Sequence, residues 1–226
     1  MELIVDTALE PALLALSEKG RVFAHLCFWS DQNHTRRLLP HLHRLLQSAG
    51  IDLRDLEAII VARGPGESFN GLRSGIALAK ALAFSLRAPL VAISTFELLA
   101  FPHLGRGSVI SIWDLGRERA GFALFERPSE IWRDERAERV STYADLLRRI
   151  PAEGDVLVCG KMGRELFDLL RRKLGGERIR EGIPAGRALI LGQVGAEKLR
   201  AGRTETSISL KPLYLKPPSI TLRKKP

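Results

Sequence analysis

The sequence predicts an α/β protein built from two similar halves. Short apolar runs typical of strands alternate with amphipathic runs typical of helices. The same order of three strands, a helix, a strand and a helix occurs before and after the turn-rich segment 102–107. With 226 residues, 45% of them hydrophobic and 27% charged, the chain can bury a core. We therefore predict two lobes, residues 1–104 and residues 105–226, the second with a carboxyl-terminal helix and an extended tail.

The first half opens with three predicted strands, at residues 3–6, 11–16 and 21–29, which turn residues separate. A helix is predicted to follow from about residue 34 to 49. Its leucines recur at helical spacing on one face, and Gly50 stands where a glycine commonly ends a helix.

The segment from residue 57 to 97 is the most informative part of the chain. Gly64, Pro65 and Gly66 follow an apolar strand and predict a sharp change of direction there. A long helix rich in Ala and Leu should come next, with Asn70 able to cap it. The predicted elements of this segment are a strand at 57–62, the helix running to 87, a strand at 89–93 and a short helix at 95–101.

The long helix is apolar around nearly its whole circumference. Small residues recur every four positions, at Gly71, Gly75, Ala79 and Ala83, so that another backbone can come close. A helix of this kind is usually buried on two sides, and its own sheet covers only one of them. Either a second helix of this chain or a partner protein must cover the other. The basic residues form one narrow stripe on this helix: Arg73, Lys80 and Arg87.

The second half repeats the pattern with weaker signals. The carboxyl end near residues 210–218 is rich in proline and should lie extended on the surface. The predicted strands are 109–113, 120–126, 130–133 and 155–159, and the predicted helices are 142–149, 164–173 and 188–201.

The chain is basic, with a formal net charge of +9 and a pI near 10.1. Such a charge invites a nucleic-acid partner, but it is spread over many helix faces, and aromatic residues are only 6% of the chain. Only the terminal Arg223-Lys224-Lys225 forms a basic tail. We expect weak, salt-sensitive RNA contact by the chain alone rather than specific recognition.

Three observations favour a cytoplasmic protein. No apolar run is long enough for a membrane span, and the start of the chain is too acidic for a signal peptide. The two cysteines, Cys27 and Cys159, lie in apolar runs without metal-binding spacing, which favours buried free thiols in a reducing compartment.

Several segments together form a longer pattern: Val5-Asp6-Thr7, the helix opening at 34–40, Gly-Pro-Gly-Glu-Ser-Phe-Asn-Gly-Leu-Arg-Ser-Gly at 64–75, and Pro-Leu-Tyr-Leu-Lys-Pro at 212–217. This pattern resembles the bacterial TsaB family, also called YeaZ, and the resemblance is strong over residues 1–100 and at the tail. The family usually has Gly-Pro-Gly-Ser-Phe-Thr-Gly, so Glu67 is an inserted residue here and Asn70 replaces threonine.

The resemblance implies the two-lobed fold of actin-like ATPases and sugar kinases (the ASKHA fold). It also implies a role in making threonylcarbamoyladenosine, the modified base beside the anticodon of tRNAs that read codons beginning with A. The family is a noncatalytic paralogue of TsaD, which transfers the threonylcarbamoyl group. Its members pair with TsaD and support binding of the ATPase TsaE, so tRNA should be reached only through the complex. A homodimer is possible in isolation.

The helix wheel and the resemblance together place the partner interface on the two long helices of the first half. The predicted interface residues are Leu38, His41, Leu42, Leu45, Leu72, Gly75, Ile76, Leu78, Ala79, Leu82, Ala83 and Leu86.

Residues for catalysis are missing from the matching positions. TsaD-like enzymes bind metal through a His-x-x-x-His pair where this chain has Thr95 and Leu99. The first phosphate turn, 6–11, has no glycine, and Asp114 in the second is at most a relic of a metal-binding carboxylate. Ser68 has no base nearby to make it a nucleophile. We therefore expect a noncatalytic scaffold with no metal and no cofactor; the alternative is an active kinase or ATPase of the actin-like fold.

Overall fold

The computed structural model describes residues 1–29, 34–105, 107–125, 139–151 and 153–216. Two five-stranded sheets form its framework. Among these residues, no helix has the length and hydrophobicity that crossing a lipid bilayer requires.

The first sheet holds five strands in the order β3-β2-β1-β4-β5. The strand β1 pairs antiparallel with β2 and parallel with β4, β2 pairs antiparallel with β3, and β4 pairs parallel with β5. The elements are β1 (Glu2–Asp6), β2 (Ala12–Glu18), β3 (Arg21–Phe28), α1 (His34–Ala49), β4 (Ala58–Gly64), α2 (Phe69–Leu86), β5 (Leu90–Ser94) and α3 (Thr95–Ala100).

The second sheet has the order β8-β7-β6-β9-β10 and the same strand directions as the first. Each half therefore runs βββαβαβα, which confirms the predicted repetition at the level of topology. The elements are β6 (Ser108–Gly116), β7 (Arg119–Phe125), β8 (Arg139–Thr142), α4 (Tyr143–Arg149), β9 (Val156–Lys161), α5 (Arg164–Leu174), β10 (Ile179–Glu181) and α6 (Arg187–Arg200).

The strands and helices predicted for the first half are confirmed to within a few residues at each end. The helix α1 ends where predicted, and Gly50 follows it with a φ of +68°, a left-handed conformation that suits glycine. The prediction of Asn70 as the cap of α2 is wrong, because α2 already begins at Phe69. Its N-cap is Ser68, whose Oγ accepts a hydrogen bond from the Gly71 N–H at 3.0 Å.

Predictions for the second half are less complete. The strand expected at 130–133 and the basic tail Arg223-Lys224-Lys225 lie outside the described residues. Sequence patterns missed β8 and the three-residue β10, since both are too short to show an alternating pattern. Of the two predicted buried thiols, Cys159 is buried and Cys27 is exposed, because Cys27 lies on the outward side of β3 at the edge of its sheet.

Helices cover both faces of the first sheet. On one face α1 packs against β3 and β2, and α2 packs against β4 and β1. The carboxyl-terminal helix α6 also packs on this first sheet, where Gly195 lies so close to Ile60 that a Cβ would stand 2.4 Å from its Cδ1. The helix α6 follows the second sheet in sequence but lies against the first sheet. The division of the chain at residue 104 stays a prediction.

The short helix α3 connects the two sheets. It contacts β4 and β5 of the first sheet and β6, β7 and β9 of the second. Its side chains Phe96, Leu98 and Leu99 are at most 1% exposed. Because α3 buries its apolar side chains against both sheets, the two halves share part of one hydrophobic core.

Candidate functional site

Helices α1 and α2 lie side by side, and most of the predicted interface residues are buried within the chain itself. Nine of the twelve are buried, and His41, Leu78 and Leu86 are partly exposed. The sequence left open whether a second helix of this chain or a partner covers the second side of α2. In the structure, α1 of the same chain packs against α2. Ala79, for example, is 0% exposed and does not face outward. That these helices bind a partner stays a prediction. Most of the side chains exposed for such a contact are not the ones that the sequence predicted.

The row of small residues on α2 makes room for the turn after β1. A Cβ on Gly75 would stand 2.0 Å from the Thr7 Oγ1, a distance that no real contact shows. The same hydroxyl, which is buried, donates a hydrogen bond to the Gly71 carbonyl oxygen at 2.8 Å. Gly71 and Gly75 therefore admit a side chain of this chain rather than a partner's backbone.

The outward side of α2 carries a different set of residues. Phe84 is 79% exposed, and at about 100° per residue it lies on the opposite side of the helix from Gly75. Ala77 and Ala81 lie within about 60° of it on the helix wheel and are exposed, and Leu39 on α1 is 59% exposed. We call this region the α1–α2 surface; its apolar residues are Leu39, Ala77, Ala81 and Phe84, and its basic residues are Arg36, Arg44, Arg73 and Lys80.

The α1–α2 surface is positively charged. Neither helix contains an acidic residue, so none of its cations has a carboxylate of α1 or α2 to pair with. The partly exposed His41 contacts Phe28, with ring centres 4.1 Å apart and the rings tilted by 34°. Burial lowers the pKa of His41, and the nearby Arg37 and Arg44 guanidinium groups lower it further. The imidazole therefore stays neutral where positive charge is already concentrated.

The turn after β1, where an actin-like kinase would hold phosphate, is occupied by groups of this chain. The Ala8 carbonyl oxygen accepts a hydrogen bond from the Glu67 N–H at 2.8 Å. Gly66 packs so tightly that a Cβ there would stand 2.6 Å from the same oxygen. Across the turn, the Glu67 carboxylate accepts a hydrogen bond from the Glu10 N–H at 3.1 Å. Glu67 therefore helps to close this turn.

A buried ion pair fixes the base of the same turn. The Arg187 guanidinium lies 2.6 Å from the Asp6 Oδ2 and also donates to the Pro11 carbonyl oxygen. Burial raises the pKa of Asp6, while Arg187 and the Ala8 N–H oppose that effect. Sequence reasoning missed Arg187, which lies 181 residues from Asp6 and belongs to no local motif.

The corresponding turn of the second half is also occupied. The Asp114 carboxylate accepts hydrogen bonds from the Gly116 N–H, the Gly163 N–H and the Tyr143 hydroxyl, each at 2.7 Å. Burial and the hydrogen bond to Asp114 raise the pKa of Tyr143, so its hydroxyl stays protonated as the donor. Through these hydrogen bonds, the Asp114 carboxylate holds β6, α4 and the loop before α5 together.

The positions matched to metal ligands and to a nucleophile have structural roles. The Thr95 hydroxyl donates to the Pro65 carbonyl oxygen at 2.6 Å, and Leu99 is in the core. The Ser68 hydroxyl caps α2, as described above. In the part of the chain that the structure describes, no three His, Cys, Asp or Glu residues are grouped so as to hold a metal ion.

A cleft of about 460 Å³ lies between the halves, and two contacts bridge it. Lys161, at the end of β9, forms an ion pair with Glu67 of the first half. Burial alone would raise the pKa of Glu67, but hydrogen bonds from Lys161 and the Glu10 N–H outweigh burial and lower it. The segment 212–216 forms the second bridge.

The segment 212–216 contacts both halves in turn. On the first half, the Leu213 N–H donates to the Arg63 carbonyl oxygen at 2.7 Å, and Tyr214 stacks on Phe69 with ring centres 4.4 Å apart. On the second half, Leu215 packs on Gly121, and the Lys216 ammonium donates to a carbonyl oxygen of the β6–β7 hairpin. The segment therefore holds the two lobes at the mouth of the cleft.

Known proteins that match this chain are described as TsaD, TsaB and YeaZ. A family model described as TsaD, tRNA N6-adenosine threonylcarbamoyltransferase, matches residues 29–168. The tRNA threonylcarbamoyladenosine biosynthesis protein TsaB of Escherichia coli is 30% identical over 224 residues, which cover 95% of this chain and 94% of that protein. Two Pseudomonas aeruginosa structures share the fold over 95% of this chain and 99% of theirs. One is YeaZ, with a TM-score of 0.69 and 24% identity. The other, described as similar to peptidase YeaZ, has a TM-score of 0.73 and 23% identity.

Two sheets of identical strand order, joined through a shared helix, define a two-lobed protein of the actin-like ATPase and sugar kinase fold. The turns after β1 and β6 are held by hydrogen bonds within the chain. Because the match to the Escherichia coli protein spans nearly all of both chains, this chain belongs to the TsaB family, also called YeaZ.

Proposed function

We propose that this chain is a noncatalytic subunit of the machinery that makes threonylcarbamoyladenosine in tRNA. In this proposal it pairs with a TsaD homologue through the α1–α2 surface and supports binding of a TsaE homologue to the pair. It works in the cytoplasm and reaches tRNA only as part of the complex. The name of the Escherichia coli relative and the match to the TsaD family model support the pathway.

The occupied turn after β1 carries the noncatalytic part of the proposal. Phosphate binding by a turn needs free backbone N–H groups and room for close approach. Here the Asp6 carboxylate and its partner Arg187 are buried beneath the turn. Gly66 and Glu67 close the turn from the other side. A nucleotide phosphate would have to displace these contacts and then meet a carboxylate.

The exposed apolar residues of α1 and α2 support the pairing. Phe84 and Leu39 are among the largest exposed hydrophobic side chains of the described residues, and both lie on the α1–α2 surface. Exposed apolar surface between ordered helices is typical of a protein–protein contact. A second copy of this chain is the other occupant to be tested, since a homodimer is possible when the TsaD homologue is absent.

An ATPase assay separates this proposal from an active kinase or ATPase. The purified chain should hydrolyse ATP no faster than a buffer control, whereas an enzyme of this fold should reach roughly 1 per second or more. The variant Asp114→Asn provides the check for contamination, because residual activity that this variant leaves unchanged does not come from the second phosphate turn. Turnover at an ordinary enzymatic rate that Asp114→Asn abolishes would overturn the noncatalytic proposal.

A further inference from the structure

Both lobes leave room for the segment 212–216, which we call the strap. A Cβ on Gly121 of β7 would stand 2.5 Å from the Leu215 Cδ1, and a Cβ on Gly64 of β4 would stand 2.9 Å from the Leu213 carbonyl oxygen. Gly64 has a φ of +96°, which favours glycine by itself, whereas the φ of Gly121 is not in the left-handed region. Close approach of the strap therefore accounts for a glycine inside β7.

Leu215 fills the space that Gly121 leaves beside Trp113. The strands β6 and β7 place Gly121 directly opposite Trp113. Directly opposite residues of an antiparallel pair point their side chains to the same face of the sheet. Trp113 and Leu215 line the same cleft, and Trp113 is 6% exposed. The strap therefore helps to cover Trp113 at the mouth of the cleft.

On the first lobe, the strap is attached at the start of α2. The Tyr214 ring stacks on Phe69, the first residue of this helix, with the two ring planes 23° apart. The Tyr214 hydroxyl accepts a hydrogen bond from the Arg73 Nε–H at 3.0 Å, and the Arg73 guanidinium lies 4.0 Å from the centre of the Phe69 ring. Tyr214 is therefore the side chain that connects the strap to α2.

The strap is held more weakly than the elements that it joins. It contains no helix or strand, and within the described part of the chain the Leu213 N–H makes its single backbone hydrogen bond, to the Arg63 carbonyl oxygen. None of its five residues is buried, whereas nearly all of β4 is. Segments with few hydrogen bonds and little buried surface open at free energies well below that of global unfolding.

We propose that the strap is a lid that releases as one unit while both lobes stay folded, and that its release opens the cleft beside Trp113. Leu213 and Tyr214 contact the first lobe, and Leu215 and Lys216 contact the second. Once either half is free, the other half alone must offset the conformational entropy lost in holding the strap in place. This inference concerns the chain by itself and does not rest on the proposed function.

Amide hydrogen exchange on the full chain tests the release. The Leu213 N–H reports on the strap. The amides of Ile59, in β4 between β1 and β5, and of Val158, in β9 between β6 and β10, report on unfolding of the two lobes. Leu213 should exchange at least about 100-fold faster than Ile59 and Val158 after correction for intrinsic rates.

The urea dependence of the same three amides shows how much of the chain opens. Low concentrations of urea should speed exchange at Ile59 and Val158 and leave Leu213 nearly unchanged, because release of the strap exposes little surface. Equal exchange rates and equal urea dependence at all three amides would mean that the strap opens only when the lobes unfold. That result would overturn the inference.

Two variants loosen the strap from opposite lobes. Tyr214→Ala removes the stack on α2, and Leu215→Ala empties the space at Gly121. Each should speed exchange of the Leu213 amide at least about tenfold. The matched control is Ile208→Ala, at a side chain 88% exposed and outside the strap, and it should leave that rate unchanged. If Leu215→Ala leaves Leu213 exchange unchanged, the strap does not release as one unit and the inference is wrong.

Acrylamide quenching of Trp113 fluorescence tests the opening of the cleft. For this measurement the chain carries Trp29→Phe and Trp132→Phe, so that Trp113 is its one tryptophan. Circular dichroism verifies that each variant folds. The double variant Tyr214→Ala/Leu215→Ala should raise the quenching constant at least about twofold, because the released strap no longer covers Trp113, and Ile208→Ala should leave it unchanged. An unchanged constant in the double variant would show that the strap is not a lid and would overturn the inference.

Discussion

Asp6 has a structural role at the turn after β1, through its ion pair with Arg187. Its carboxylate is 0% exposed at the end of β1, and the Arg187 guanidinium that contacts it reaches back from the start of α6. A buried ion pair of this kind adds little net stability compared with apolar packing, but breaking it is costly. The pair therefore fixes where α6 docks on the first sheet, since only one position satisfies both charges.

Replacing Arg187 with methionine should therefore lower the free energy of unfolding by roughly 3–5 kcal/mol at pH 7, because Asp6 is left buried and unpaired. The double variant Asp6→Asn/Arg187→Met should lose much less. Arg171→Ala, at an exposed position on α5, is the control and should stay within about 0.5 kcal/mol of wild type. Urea unfolding measures all three.

The pH dependence of the Arg187→Met loss gives a second check. Burial already raises the pKa of Asp6, and loss of Arg187 removes an opposing effect. A carboxyl group with a raised folded-state pKa stabilises the fold below its unfolded pKa and loses that contribution as pH rises through the folded-state pKa. The gap between variant and wild type should widen from about pH 4 to pH 7. A gap that does not change over this range would contradict this account of Asp6.

At the scale of elements, α1 and α2 form the part of the molecule that most directly suggests a partner. Their buried sides meet each other and the sheet, and their outward sides present Phe84 and Leu39. The proposed contact therefore depends on residues that the helix wheel places opposite the small-residue row, not on the row itself.

Replacing Phe84 with aspartate should weaken binding of the TsaD homologue by about 2 kcal/mol or more, roughly thirtyfold, because the change removes a large apolar contact. Ile208→Asp is a matched control, since Ile208 is an apolar side chain 88% exposed elsewhere in the chain. Isothermal titration calorimetry measures both. If the two substitutions weaken binding equally, or neither does, the contact lies on another surface.

Ala79→Glu is informative for a different reason. Ala79 is fully buried, so a glutamate there should destabilise the folded chain itself rather than a contact with a partner. Loss of partner binding by that variant would not locate the interface.

Sequence patterns predicted those elements whose signals are local. The helix α1 and its end at Gly50 follow from apolar spacing and one glycine, and the repeated halves follow from the order of runs. The buried sides of α1 and α2 were also predictable. The neighbour that covers these sides was not predictable. The apolar periodicity of a helix is the same whether a helix of its own chain or a helix of a partner covers it. The predicted interface omitted the exposed Phe84, because the apolar pattern of α2 does not separate its exposed side chains from its buried ones.

The contacts that close the candidate nucleotide site could not be predicted in the same way. Arg187 meets Asp6, and Lys161 meets Glu67, across long stretches of sequence. Such pairs depend on how the halves and α6 pack, which a local pattern does not contain. The absence of glycines at 6–11, by contrast, is a local signal that the sequence alone contains.

At the scale of the whole molecule, Glu67 connects the two lobes across the cleft. Its carboxylate accepts a hydrogen bond from the Glu10 N–H of the same lobe and pairs with Lys161 of the other. Because Lys161 is 46% exposed, solvent screens the pair and limits its contribution to stability.

Replacing Glu67 with glutamine should lower the free energy of unfolding by at most about 1 kcal/mol at pH 7. The carboxylate's lowered pKa means that its contribution is present above the ordinary value of 4.5 and is lost as pH falls through the folded-state pKa. The difference from wild type should therefore vanish in acid. Glu177→Gln, at an exposed position, is the control and should show no such pH-dependent difference. A Glu67→Gln effect that grows on acidification would contradict the role given to this pair.

The most direct test of the central claim is the rate at which a TsaD homologue modifies tRNA in a reconstituted mixture with a TsaE homologue, ATP and a threonylcarbamoyl donor. A noncatalytic partner acting through the α1–α2 surface predicts that wild-type chain raises this rate at least about tenfold, that Phe84→Asp fails to do so, and that Ile208→Asp matches wild type. The account would be contradicted if the rate were the same without the chain, or if Phe84→Asp raised it as much as wild type does.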